Sequence, residues 1–297
     1  MRRPYPHRDL CSEAKSNTMK IGIVGLGLIG GCLGLDLRRA GHWVYGVSRR
    51  QETCTTAENR GVVDVAATAL AGLGETELVF VCTPIAMIEP MVVQLAAVLP
   101  AATVITDVGS VKASIVAAAT RLWPRFVGGH PMAGKAEAGI EAAETNLFAG
   151  RPYVLTPIAT TDEGAISQVR DVAQQLGSHL YSASPENHDQ AVAWISHLPV
   201  MVSASLIQAC LSEPDSAIQI LAQQLASSGF RDTSRVGGGN PELGLMMAQY
   251  NRQAMLKSLL AYRQQLDGCI QALQTEDWMV MADILRQAQE QRSRYVS

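Results

Sequence analysis

The segment GLGLIG at residues 25–30 constrains the fold more than any other part of the sequence. It follows a β-branched run, MKIGIVG, and opens a helical pattern, LIGGCLGLDLRRAG. In that context Gly25 permits a tight turn, Gly27 lets a pyrophosphate approach the backbone, and Gly30 lets helix and strand pack closely. We therefore predict a dinucleotide-binding loop; the alternative is a glycine turn that merely packs a helix. The predicted loop residues are Gly25, Gly27, Leu28, Ile29 and Gly30.

Short apolar runs alternate with helical patterns from Met19 onwards. The predicted strands are MKIGIVG, HWVYGVS, ELVFVCT, TVITDV, RFVGG and RPYVLT. The predicted helices are LIGGCLGLDLRRAG, AMIEPMVVQLAAVL, KASIVAAATRL and AISQVRDVAQQLG. Apolar strands separated by helices favour a parallel sheet covered on both faces. We predict an α/β domain over residues 19–183, with a doubly wound, Rossmann-type parallel sheet.

The pattern changes at residue 184, after which no strand is predicted. Ser184 before Pro185, and Asn240 before Pro241, are typical of helix starts. Residues 184–297 are therefore predicted to form an all-helical domain. A small bundle with helices this long and apolar would expose a large apolar patch, so we expect a homodimer through this domain.

Composition excludes several classes of partner. Of 297 residues, 47% are hydrophobic and 17% charged, and the net charge of −3 leaves no basic surface for nucleic acid or an anionic membrane. No apolar run is expected to reach the roughly 18 residues needed to cross a bilayer. Residues 1–18 are polar and are expected to lie outside the fold. The six cysteines lack metal-binding spacing, so we predict reduced thiols in a cytoplasmic protein and no metal site.

The second predicted strand ends in Ser48-Arg49-Arg50, where an NAD enzyme would normally carry an acidic residue. An acid repels a 2′-phosphate, whereas serine and arginine bind one, so we predict NADP as the cofactor. The alternative is a solvated turn.

Two further strand ends carry polar residues. Thr83 follows ELVFVC, and Asp107 and Ser110 follow TVIT. Ligands of open α/β sheets lie at the carboxyl ends of the strands. Thr83 and Asp107 are therefore predicted to contact the cofactor and Ser110 to lie in the site, although Thr83 is also a suitable helix cap.

Six motifs together resemble the prephenate/arogenate dehydrogenase family of tyrosine biosynthesis. They are GLGLIGG, CTP, TDVGSVK, GGHPMAG, ISHLP and FRDTSR, and the resemblance covers nearly the whole chain from Met19. It implies a nucleotide-binding domain with a helical dimerisation domain, a catalytic His130, and Ser110 orienting that histidine. It also implies substrate binding by His197 and Arg235.

Each of these residues could instead have a purely structural role. His130 would be satisfied by turn amides, His197 would be an ordinary core or interface histidine, and Arg235 would cap a helix end. The segment RDTSR also carries Arg231 and Asp232, which are further candidates for substrate binding, so which arginine binds the substrate stays open. His188 and Asp189, one turn into the same helix as His197, are expected to be cap and surface residues.

The resemblance implies NADP-dependent oxidative decarboxylation of L-arogenate to L-tyrosine, with prephenate as the alternative substrate. Arogenate is preferred because the sequence resembles the arogenate-preferring members in two respects. It carries Ser48-Arg49, and no fused chorismate mutase or regulatory domain is seen in it. The rivals are a β-hydroxyacid dehydrogenase, a pyrroline-carboxylate-type reductase and a non-enzymatic NADP sensor.

Overall fold

The computed structural model describes residues 18–135 and 137–296. The predicted extension, residues 1–18, lies outside the described residues except for Thr18. Contacts divide the chain into two compact units. The first runs to Gly109 and from Ile115 to Ala183, and the second comprises Ser110–Ser114 and the chain from Ser184 onwards.

The first unit alternates strands and helices. Its strands are β1 (Lys20–Val24), β2 (Trp43–Val47), β3 (Val65–Ala67), β4 (Leu78–Val81), β5 (Val104–Asp107), β6 (Phe126–Pro131), β7 (Pro152–Thr156) and β8 (His179–Ser182). Its helices are α1 (Leu28–Arg39), α2 (Gln51–Asn59), α3 (Ile88–Ala96), α4 (Ala113–Leu122) and α5 (Glu163–Gln175), and the first residues of α4 belong to the second unit. All six predicted strands and all four predicted helices form; α2, β3 and β8 were not predicted.

The eight strands form one sheet in the order β3-β2-β1-β4-β5-β6-β7-β8. The chain order reverses where β1 lies beside β4, the position at which open α/β sheets bind ligands. The predicted α/β fold with a Rossmann-type sheet is confirmed in this unit.

The sheet departs from the prediction at one pair, because β7 runs antiparallel to β6. A parallel neighbour needs a crossover connection, usually a helix. Between β6 and β7 the described residues form only a short 3₁₀ turn, Ile140–Ala142. Helix α5 then provides the crossover that makes β8 parallel to β7.

Apolar side chains from both sides of the sheet form the core of this unit. Ile21 and Ile23 of β1, Leu33 and Leu37 of α1, and Phe80 of β4 are at most 1% exposed. Burial of each such side chain contributes about 1.5–3 kcal/mol to stability. The core holds the glycine loop between β1 and α1 at a fixed edge of the sheet.

The second unit has no strand among its described residues. Its helices are α6 (Pro185–Val192), α7 (Leu198–Leu211), α8 (Ser216–Leu225), α9 (Ser228–Ser234), α10 (Pro241–Tyr250), α11 (Arg252–Gln274) and α12 (Trp278–Arg292). Both predicted caps form: the Ser184 side chain accepts from Asn187 N and the Asn240 side chain from Glu242 N.

Helices α6 and α7 are joined by a π turn, Ala193–His197. Pro199 lacks an amide hydrogen and would clash with the carbonyl of Ile195 in a regular helix. The wider π turn accommodates the proline and places His197 at the start of α7.

The stretch Pro185–Leu211 has the length and composition of a membrane-crossing helix, so the expectation that no apolar run is long enough is wrong. It is 27 residues long, its most apolar 18-residue window has a mean hydropathy of 1.4, and 17% of that window is buried. A single such helix is weak evidence for a membrane, because an interface helix passes the same test. The absence of a membrane partner therefore stays a prediction.

Candidate active site

The loop between β1 and α1 has the geometry that phosphate binding requires. Gly25 has φ +103°, a conformation that side chains disfavour, and a Cβ there would lie 2.5 Å from the carbonyl oxygen of Cys82. A Cβ on Gly30 would overlap the carbonyl oxygen of Gly25. Beside Gly27, by contrast, there is open space to at least 4 Å. The loop is therefore closed on the protein side and open where a phosphate would approach.

The start of α1 leaves its amides available to an anion. Gly27 caps this helix without a side-chain hydrogen bond, and the first turn contains no acidic residue. Helix N-terminal amides attract phosphate oxygens through their unpaired N–H groups and the helix dipole. These residues fit the pyrophosphate of a dinucleotide.

The strand end next to the loop contributes Thr83. Its hydroxyl is buried and has no hydrogen-bond partner among the described residues. Unsatisfied buried hydroxyls are uncommon and often mark a ligand position. This observation favours a ligand contact at Thr83 over a helix cap.

Asp107, at the end of β5, has a structural position that the sequence did not indicate. It is fully buried, and its carboxylate accepts from the amides of Gly109 at 2.8 Å and Gly129 at 3.2 Å. These bonds join the ends of β5 and β6. A contact between Asp107 and the cofactor stays a prediction.

Ser48, Arg49 and Arg50 follow β2 at the same edge of the sheet. Both arginines are exposed, and neither makes an ion pair within the described chain. The Ser48 hydroxyl accepts from Arg50 N at 3.4 Å, and Arg50 caps α2. The serine and two free guanidinium groups are available to a 2′-phosphate.

His130 lies in β6, opposite Val154 of β7, and is 8% exposed. It is a strand residue followed by Pro131, not a residue of a free turn. Ser110 belongs to the second unit, and its hydroxyl is buried without a hydrogen-bond partner among the described residues. The hydrogen bond between Ser110 and His130 stays a prediction.

His197 is the centre of a buried polar network in the second unit. Its side chain is fully buried, Asn251 Nδ2 lies 3.2 Å from its Nδ1, and its Nε2 has no partner among the described residues. Burial lowers the pKa of His197 to about 4, an effect that the Asp189 carboxylate partly offsets. The imidazole is therefore neutral at physiological pH.

The expectation that His188 and Asp189 are cap and surface residues is wrong. They are 3% and 5% exposed. The Asp189 carboxylate accepts from Lys112 N at 2.7 Å, Ala113 N at 2.8 Å and His188 Nδ1 at 2.8 Å. Asp189 therefore ties the segment Ser110–Ser114 to the helical unit.

The depressed pKa of His197 predicts a specific loss of stability in acid. The unfolded chain takes up a proton near pH 6.5 but the folded protein only near pH 4. Stability from this residue is therefore complete above pH 6.5, and about 3 kcal/mol is lost as the pH falls to 4. Between pH 7 and pH 5, the free energy of unfolding measured with urea should fall by about 2 kcal/mol less in His197→Asn than in wild type. The exposed His179→Asn is the control, and an equal acid dependence in all three proteins would contradict the assignment.

The two arginines of the RDTSR segment differ in their partners. Arg231 lies 3.5 Å from the Asp232 carboxylate, and both side chains are 74% exposed. Arg235, in the 3₁₀ turn Arg235–Gly238, is exposed and makes no ion pair among the described residues. Arg235 is therefore the more available cation.

The segment before the Arg235 turn is anchored to α7. The hydroxyl of Ser203, a buried residue of α7, donates to the carbonyl of Thr233 at 2.6 Å. Ser203 lies six residues beyond His197, a rise of about 9 Å along a helix. The second unit thus contains both a neutral buried imidazole and a guanidinium without an ion pair in the described chain, and their joint role in substrate binding stays a prediction.

Three residues of the second unit were missed by sequence reasoning. Lys112 is fully buried, Asp189 organises the network, and Asn251 contacts His197. Lys112 lies in the TDVGSVK motif, so the family resemblance could have drawn attention to it. No sequence signal marks Asp189 or Asn251, because an aspartate one turn into a helix and an asparagine between two helices are common in proteins without a functional role.

Comparison with known proteins gives two family matches. The prephenate dehydrogenase nucleotide-binding domain matches residues 33–182, and the prephenate dehydrogenase dimerization domain matches residues 184–287. The glycine loop precedes the first match, so its assignment depends on the geometry above.

Similar individual proteins include prephenate and arogenate dehydrogenases. Prephenate dehydrogenase of Bacillus subtilis is 32% identical over 270 residues, which cover 88% of this chain and 72% of the relative. The crystal structure of Synechocystis arogenate dehydrogenase is 54% identical, with a TM-score of 0.84 over 94% of this chain and 100% of that one. Prephenate dehydrogenase from A. aeolicus, in complex with hydroxyphenyl propionate and NAD+, is 26% identical, with a TM-score of 0.88 over 93% and 98% of the two chains. The chain therefore belongs to the prephenate dehydrogenase family.

Proposed function

We propose that the protein catalyses the NADP-dependent oxidative decarboxylation of L-arogenate to L-tyrosine. The observation that carries the proposal is the 54% identity, over 94% of the chain, to an arogenate dehydrogenase. The nucleotide loop and the polar residues of the second unit supply groups that this chemistry requires.

The reaction couples an oxidation to the loss of a carboxylate. A nicotinamide cofactor held at the glycine loop would supply the acceptor for a hydride from the ring carbon that bears the hydroxyl. His130 accepts the hydroxyl proton as the carbon–oxygen double bond forms. The carbon–carbon bond to the ring carboxylate then breaks, carbon dioxide leaves, and the electron pair passes through the ring to the carbonyl oxygen. The resulting phenolate takes the proton back from His130 and becomes the phenol. Aromatisation drives the step, while the protein aligns the groups.

Residues of the second unit bind the substrate in this proposal. Arg235 offers a planar guanidinium that matches a carboxylate with two parallel hydrogen bonds. The neutral His197 adds a hydrogen bond from a buried position, and Ser110 orients His130. Arg231 and Asp232 flank Arg235 as a second, partly neutralised pair.

Cofactor preference depends on the end of β2. Ser48 and the free guanidinium groups of Arg49 and Arg50 support NADP, because no acidic side chain follows the strand there to accept from the ribose hydroxyls. The A. aeolicus relative was crystallised with NAD+, so the NADP preference is proposed for this chain from its own residues after β2.

One assay tests the substrate and the cofactor together. Reduced cofactor is measured for arogenate and prephenate, each with NADP and with NAD. We expect the highest kcat/KM for arogenate with NADP. Equal or better efficiency with NAD would refute the role of Ser48 and Arg49, and no turnover of either substrate would refute the proposed reaction.

Prephenate is the second candidate substrate, giving 4-hydroxyphenylpyruvate. The relative from B. subtilis, 32% identical, is a prephenate dehydrogenase. The two substrates differ in the side chain, which carries a keto group in prephenate and an amine in arogenate. Faster turnover of prephenate with NADP would favour this alternative.

The helical unit supports a homodimer. In the described chain neither α8 nor α12 has a buried residue, although both carry large apolar side chains, and the matching family domain is a dimerization domain. The exposed apolar side chains of these two helices include Leu221, Leu225, Trp278, Met279 and Leu285. We place the enzyme in the cytoplasm, with no nucleic-acid or membrane partner.

Light scattering checks the assembly. We expect a mass of twice the 31.8 kDa of one chain at micromolar concentration, because a second copy would cover the apolar faces of α8 and α12. Substituting Leu221 and Leu225 with Asp should lower the mass toward one chain. A wild-type mass of one chain would contradict the dimer.

A further inference from the structure

Asn251 occupies a constrained position between two helices of the second unit. It is 5% exposed, its amide donates to the carbonyl of Met247, and its own carbonyl accepts from Met255 N, both at 3.0 Å. Its side-chain nitrogen lies 2.8 Å from the main-chain oxygen of Asp189 and 3.2 Å from Nδ1 of His197.

The first of these contacts fixes the orientation of the side-chain amide. The Asp189 carbonyl oxygen accepts hydrogen bonds and donates none. A flipped amide would therefore place two carbonyl oxygens 2.8 Å apart without a proton between them. The nitrogen of Asn251 must face Asp189, and its second hydrogen is directed to His197.

The amide orientation in turn determines the tautomer of His197. An amide nitrogen donates and does not accept, so Nδ1 of His197 must accept. In a neutral imidazole the proton then resides on Nε2. This is the buried atom that has no partner among the described residues.

We propose that Asn251 is a positioning residue that holds His197 with Nε2–H directed to an oxygen atom of the substrate. The inference deepens the proposed function, because that function gives His197 its ligand. It also limits the ligand chemistry. A donor at Nε2 selects a carboxylate, hydroxyl or keto oxygen and disfavours an ammonium group.

The tautomer is measured by correlating ring protons with the ring nitrogens of ¹⁵N-labelled, substrate-free protein at pH 7. We expect His197 to have an unprotonated Nδ1 and a protonated Nε2. His188 provides an internal reference with a protonated Nδ1, because that atom donates to the Asp189 carboxylate. A proton on Nδ1 of His197 in wild type would overturn the proposal, whatever the variants do.

Two variants test the role of Asn251 itself. A carboxylate accepts where the amide donates, so Asn251→Asp should move a proton onto Nδ1 of His197. Asn251→Ala should raise KM for the amino-acid or keto-acid substrate about tenfold, the effect of one lost hydrogen bond, with kcat within about twofold. The exposed Gln253→Ala, on the same helix, is the matched control. An unchanged KM and an unchanged Nδ1 resonance in Asn251→Ala would refute the positioning role.

The outcomes for the inference and for the proposed function are separable. The tautomer is measured without substrate or cofactor. Failure of wild-type enzyme to turn over either dienol would therefore refute the proposed reaction and leave the tautomer result standing. Turnover with the opposite tautomer would refute the inference alone.

Discussion

His130→Asn is expected to lower kcat by at least about 100-fold, the lower end for loss of a general base. Asparagine retains a polar side chain of similar reach but cannot accept a proton near neutral pH. The loss should therefore appear in kcat rather than in cofactor binding. The NADP dissociation constant should change by less than about threefold, since the phosphates bind at the glycine loop.

The pH profile separates a proton acceptor from a residue that only shapes the strand. In wild type, kcat/KM should fall on the acid side as the catalytic imidazole becomes protonated. His197 does not cause this limb above pH 5, because burial holds its pKa at about 4. The limb should thus be absent in His130→Asn and present in His197→Asn. A His130→Asn enzyme with near-wild-type kcat and the same acid limb would show that the imidazole has no role in proton transfer.

The sequence predicted the nucleotide-binding unit well because its signals are local. The glycine loop, the apolar strands and the helix between them are short patterns with a direct physical cause. Polar residues at Thr83 and Asp107 were placed at strand ends because parallel strands end at a common edge. The same reasoning missed β3 and β8, which have three and four residues and no buried residue.

What the sequence could not predict depends on contacts between distant residues. Asp189 is buried because it accepts from the amides of Lys112 and Ala113, more than 70 residues earlier in the chain. Asn251 contacts His197 across 54 residues. Periodicity marks one face of a helix, but it does not show which polar residue on that face finds partners. Asp189 was therefore predicted to be a cap or surface residue, and Asn251 was not singled out.

The last prediction concerns the anchor for the substrate carboxylate. Arg235 carries a guanidinium without an ion-pair partner in the described chain, whereas that of Arg231 lies 3.5 Å from the carboxylate of Asp232. A cation already paired gains less from a second carboxylate. Geometry therefore favours Arg235, although both residues belong to the same segment.

We expect Arg235→Ala to raise KM by roughly 30- to 150-fold, which corresponds to a charge-assisted contact of about 2–3 kcal/mol. Arg235→Lys keeps the charge but loses the two parallel hydrogen bonds, so its KM should lie between those of wild type and Arg235→Ala. Arg231→Ala is the matched control and should change KM by less than about threefold, as for an exposed pair. NADP affinity should be unaffected in all three variants. An unchanged KM in Arg235→Ala with a raised KM in Arg231→Ala would assign the carboxylate to Arg231, and would mean that Asp232 orients that arginine instead of neutralising it.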